Sequence, residues 1–197
     1  DSAWVRNPID AFVLSALESK KLNPSPPADM RRLARRAALT LTGLPPKQDW
    51  LDEFLADDSD NAYEKYVDRL LESPAYGERM AYVWLDAARY SDTDGFQQDV
   101  NRENWPWRDW VINAYNSNKP FDEFTIEQMA GDLIPDASND QIIATCFHRN
   151  HMTNGEGGRD PEESRIDYVL DRTTTVGKVW LGLTIECCQC HTHKYDP

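Results

Sequence analysis

A chain of 197 residues with 34 acidic and 21 basic side chains carries a formal charge of -13, which repels a phosphate backbone and the anionic face of a membrane and argues against nucleic-acid binding. An apolar share of 40%, with seven Trp, eight Tyr and six Phe, supports a packed core and excludes wholesale disorder. No run approaches the roughly 18 apolar residues of a membrane span, and Asp1-Ser2-Ala3-Trp4 does not open a signal peptide.

The length fits one domain over residues 1–197, and the chain reads as successive helices. Pro8 opens the first, with Ile9, Phe12, Val13 and Leu17 at helical spacing and Lys20 and Lys21 beside the negative end of the dipole. The proline-rich stretch 22–27 is a linker. A basic helix follows Asp29 through Arg31, Arg32, Arg35 and Arg36, and Gly43 with Pro45-Pro46 stops it. Two short amphipathic helices come next, one on Trp50, Leu51, Phe54 and Leu55, the other on Tyr63, Tyr66, Val67, Leu70 and Leu71 before Pro74.

A helix over about residues 75–90 presents Met80, Val83, Trp84, Ala87 and Tyr90, a stripe expected to be well buried. An aperiodic polar loop, 91–104, precedes a helix over 107–115. Thr125-Ile126-Glu127-Gln128 reads as a capping box that starts a short helix through Leu133. Ser138 or Asn139 caps the next, which holds Ile142, Ile143, Cys146 and Phe147, and a second polar loop runs over 150–160. Asp160-Pro161-Glu162-Glu163 combines a cap, an N1 proline and dipole-complementing acids, so a helix runs from there to about Leu183. The β-branched cluster Thr173-Thr174-Thr175-Val176 falls inside that helical period. The predicted fold class is therefore all-α, an irregular multi-helix domain with two long polar loops.

The most chemically specific segment is Cys187-Cys188-Gln189-Cys190-His191, a C-x-x-C-H motif. Two thiols one turn apart can add to the vinyl groups of a haem, and the adjacent imidazole can ligate its iron, which makes Cys187, Cys190 and His191 a haem c attachment site. His148, His151 and Met152 are the candidate distal ligands, since imidazole or thioether completes the iron from the other face. The same tail suits a zinc site with Cys187 and Cys190 as paired thiolates, completed by His193 and Cys146 or His148. A thiol redox pair is a third reading, for which a helix N-terminus beside the cysteines is missing. The loops also concentrate ionisable and amide groups, and His148, Arg149, Asn150, Glu156, Asp160, Asp92 and Asp94 are candidates for a polar active site. Around Asp92, Asp94 and Asp99 the glycine register of an EF-hand is not met.

In order along the chain stand Asn7-Pro8-Ile9-Asp10, Leu41-Thr42-Gly43-Leu44-Pro45-Pro46, Tyr76-Gly77-Glu78-Arg79-Met80 with Trp84-Leu85-Asp86, and Tyr90 through Phe96. Phe147-His148-Arg149-Asn150, Glu156-Gly157-Gly158, Asp171-Arg172 and Cys187 through Pro197 follow. With these motifs the chain resembles the planctomycete cytochrome C-like domain family over essentially its whole length. The resemblance implies a domain of unknown function in large exported proteins, with a periplasmic or extracellular location. Its partners would be a redox protein or other domains of the same polypeptide, and the chain would be the N-terminal piece of a longer protein. The family usually has a non-cysteine residue where Cys188 stands. A non-catalytic scaffold that binds a partner or a polysaccharide is the remaining expectation, with the cysteines inert or disulfide-linked.

Overall fold

A computed structural model describes residues 4–193; Asp1-Ser2-Ala3 and the family-like ending Lys194-Tyr195-Asp196-Pro197 lie outside the described residues. The described part is all-α, with a lone antiparallel bridge between Thr93 and Asn101. Its helices are α1 (Pro8–Ser19), α2 (Met30–Thr42), α3 (Gln48–Ala56), α4 (Ala62–Leu71), α5 (Pro74–Ala87), α6 (Trp105–Asn116), α7 (Phe121–Ala130), α8 (Asn139–Ala144) and α9 (Pro161–Leu181). Short 3-10 turns span Gly131–Leu133, Thr145–Arg149 and Ile185–Gln189.

Local chemistry sets most of these ends. Asp29 caps α2 by accepting from the Arg32 N–H, and Gly43 closes it at φ +69°, a conformation that costs glycine little. Asp160 accepts from the Glu162 and Glu163 amides at the start of α9, and Gly182 ends that helix in the left-handed region. Ser138 and Gln141 form a reciprocal capping box at α8.

The helices enclose two apolar clusters. Ala34, Ala37, Ala38, Phe54, Tyr66 and Leu70 form one between α2, α3 and α4. The other gathers Ala81, Ala88, Trp107, Val111, Phe124 and Phe147, with Trp84 and Trp180 packed against it. Contacts between α2 and α5 join the two. In the larger cluster Trp84 lies edge-on to both Phe124 and Trp180, at 4.9 and 5.0 Å, and Phe147 is edge-on to Trp180 at 4.8 Å, geometries that align ring edges with ring faces.

Four local expectations are corrected. Ile9 and Phe12 of α1 are 72% and 79% exposed, and Leu14 is the residue that α1 buries. Trp84 and Tyr90 of the stripe expected on α5 do pack on the larger cluster, but Val83 is 68% exposed, and the residues buried outright are Gly77 and Ala81, with Ala88 at the C-cap, because α6 approaches closely where side chains are smallest. Helix α7 begins at Phe121, so Thr125 is interior; its hydroxyl accepts from Trp180 Nε1 at 3.1 Å instead of capping. Cys146 and Phe147 belong to the 3-10 turn after α8, not to α8 itself.

Candidate functional site

The cysteine turn is placed by the end of α9. Gly182 reverses the chain, the Leu183 N–H returns to the Gly177 carbonyl at 3.1 Å, and the 3-10 turn Ile185–Gln189 folds back onto α9. Gly177 leaves a notch for the Ile185 side chain, which a Cβ there, 2.7 Å from its Cγ1, would push aside. Ile185 fills the notch and fixes the turn that follows.

Cys187, Cys188 and Cys190 are free, exposed thiols, and His191 is exposed as well. The amides of Cys190 and His191 both donate to the Cys187 carbonyl, at 3.2 and 3.3 Å. Residues three apart on a 3-10 turn eclipse one another, so Cys187 and Cys190 share one face, Cys188 is rotated away by roughly 120°, and His191 follows directly after the turn. His191 Nδ1 lies 3.1 Å from the Thr192 carbonyl. A carbonyl only accepts, so Nδ1 carries the proton and the lone pair of the neutral ring sits on Nε2.

The second polar region joins the two long loops. Arg102, with its side chain 8% exposed, donates to the Arg149, His151 and Thr93 carbonyls at 2.6, 2.9 and 2.8 Å, and Asp94 faces it at 3.5 Å. Gln97 bridges both loops, donating to Glu156 at 3.1 Å and accepting from the Gly155 amide at 3.0 Å. Arg89, held at φ +60°, makes a two-pronged pair with Asp171 of α9, each bond 2.7 Å, and also reaches Thr175. Asp171 raises the Arg89 pKa, and Glu186 of the cysteine turn adds to that field.

His151 stacks on Tyr168 at 4.5 Å, with Nδ1 2.8 Å from the Met152 carbonyl and Nε2 2.9 Å from the Arg172 guanidinium. Burial, then the charge of Arg172, pushes its pKa down. Burial also lowers that of His148, which sits edge-on to Phe147 at 5.2 Å and bonds the Met129 backbone. A cleft of about 10 Å³ lies between Arg89, His148, His151, Asp171 and Arg172, room for about one water molecule.

Most of the proposed polar active-site residues carry structural contacts here. Asn150 is buried and accepts from Asn104 at 2.8 Å, Asp160 caps α9, Glu156 takes Gln97, and Asp92 accepts from the Tyr90 hydroxyl at 2.6 Å. Burial and that carboxylate push the Tyr90 pKa up to about 12. The zinc set Cys146, Cys187, Cys190 and His193 is not assembled: the described residues hold no group of three or more His, Cys, Asp or Glu placed to bind an ion, and Cys146 packs against the larger core. Arg89, Arg102, Tyr168 and Thr175 were not singled out from sequence. The signal for Arg102 was a single guanidinium inside an acid- and amide-rich loop; for Arg89 none was visible.

Fold and site together define an all-α domain that displays a C-x-x-C-H turn on its surface beside a braced pair of polar loops. The chain belongs to the PSCyt2 family, a protein of unknown function (DUF1549), whose model matches residues 8–197. No curated protein and no solved structure matches it.

Proposed function

We propose that the domain is a haem c module for electron transfer within a larger exported protein. Cys187 and Cys190 would form the thioether bonds and His191 would be the proximal ligand. The observation that carries this reading is the turn geometry: Cys187 and Cys190 lie one 3-10 turn apart and exposed, His191 follows them exposed, and the Thr192 carbonyl orients its ring so that Nε2 holds the lone pair. The residues therefore fit covalent attachment. The haem, when bound, supplies the iron that accepts and releases the electron.

The protein's own part is positional. Ile185 in the Gly177 notch holds the turn against α9, and the Nδ1–H···O=C bond of His191 orients the ring as hydrogen bonds orient other metal-binding imidazoles. Among the distal candidates, His151 has both ring nitrogens engaged and His148 is half-buried against the Met129 backbone. Met152 is 50% exposed, which leaves it the most accessible of the three candidates for ligation. The family name, PSCyt2, agrees with a cytochrome-like role.

Expression in a bacterium with a cytochrome c maturation system tests the reading. The expected product is red, has a Soret band, and keeps its haem stain on a denaturing gel. Cys187→Ala or Cys190→Ala should leave a single thioether and shift the α band, and the double variant should lose the stain. A colourless protein with unmodified thiols from that host would overturn the assignment.

A further inference from the structure

A cleft of about 590 Å³ opens between α6, α7 and α8, lined by none of the cysteine-turn or loop-bracing residues. That volume falls within the roughly 300–1,000 Å³ of small-molecule sites. Its apolar walls are aromatic. Trp105, the first residue of α6, stands 52% exposed at the cleft next to Pro106, and Trp110 lies one and a half turns further along the same helix. The Trp110 ring is stacked on Phe124 at 5.3 Å, so one wall is rigid.

The polar walls set the ligand's charge. Lys119 is the cation among the lining residues, and Glu127 neutralises it at 2.8 Å. Glu127 is itself buried, with its other oxygen 3.4 Å from Gln141 Nε2. Arg108 pairs with Asp109 at 2.9 Å, which leaves Asp140 as the uncompensated carboxylate of the lining in a chain of charge -13, so an anion is disfavoured. Asn113 adds an amide that both donates and accepts, and the Ser117 hydroxyl, which donates to the Ala114 carbonyl, adds an acceptor.

We infer that this cleft binds a neutral oligosaccharide, independently of any haem at the cysteine turn. A pyranose presents polarised C–H bonds from one face, which rest on the negative face of an indole, and a rim of hydroxyls that needs acceptors and amides close by. Trp105 is the platform. Asp140 and the amides are the edge readers. About half of the Trp105 surface is left open at the cleft, which makes its indole available to a sugar ring.

The test is calorimetric and fluorescence titration of the intact protein with neutral hexasaccharides of glucose, xylose, mannose, galactose and N-acetylglucosamine, beside hexagalacturonic acid and spermine. At least one neutral hexamer is expected to bind and to alter tryptophan emission. Trp105→Ala should weaken it at least tenfold and Asp140→Asn severalfold, with helical circular dichroism unchanged because both residues are on the surface. Binding of none of the neutral hexamers, binding indifferent to Trp105→Ala, or preference for hexagalacturonate or spermine would each overturn the inference.

Discussion

His151 shows how one side chain links loop structure to pH. A guanidinium only donates, so Arg172 requires Nε2 of His151 to accept, and the proton must sit on Nδ1 facing the Met152 carbonyl. Protonating Nε2 breaks the Arg172 contact and sets two cations together, which adds to the burial that holds the folded pKa below its ordinary 6.5. The unfolded chain then takes up this proton first, so stability is complete above 6.5 and falls as pH drops below it. Urea midpoints are expected to decrease from about pH 7 to pH 5, and His151→Gln should flatten part of that decline, leaving the part due to His148. Parallel curves for variant and parent would refute this account. The histidines stood out in the sequence as possible ligands; what their partners were depended on Arg172 and Tyr168 arriving from a helix turn distant in the chain, which no local pattern reveals.

At the scale of elements, two glycines perform the same task against different neighbours. A Cβ on Gly77 would lie 2.5 Å from the Ile112 carbonyl oxygen and 2.5 Å from the Asn116 amide, whose Oδ1 accepts the Gly77 N–H at 2.8 Å. Backbone cannot rotate aside, so α5 and α6 must separate. At Gly177 the obstacle is the flexible Ile185 side chain, and the helix propensity gained by alanine offsets its displacement. Gly77→Ala is expected to cost about 2 kcal/mol and lower the melting temperature by roughly 4–8 °C, whereas Gly177→Ala should stay within about 2 °C. Differential scanning calorimetry of both variants decides, and equal shifts would contradict it. Helix boundaries marked by Asp29, Ser138 or Asp160 were legible because a cap is a local bond. The buried face of α5 was not, because small residues chosen for close approach carry weak hydrophobicity, and the larger side chains beside them mislead a periodicity count.

For the whole molecule, the all-α class and both polar loops followed from periodicity and its interruptions. The division into two clusters joined through α2 and α5 was not readable, since it depends on which apolar faces meet. Helix α1 belongs to neither cluster and buries Leu14 alone. Truncation to Ala28 should therefore change the melting temperature by less than about 3 °C, and a loss of cooperative unfolding in the truncated chain would show that α1 is integral.

Every residue of both clusters, and every hydrophobic packed on them, precedes Cys187 in the chain, with Trp180 the last. The interior thus closes without the cysteine turn. The haem attachment proposed for that turn would then be separable from folding, and the unmodified chain is expected to fold without it.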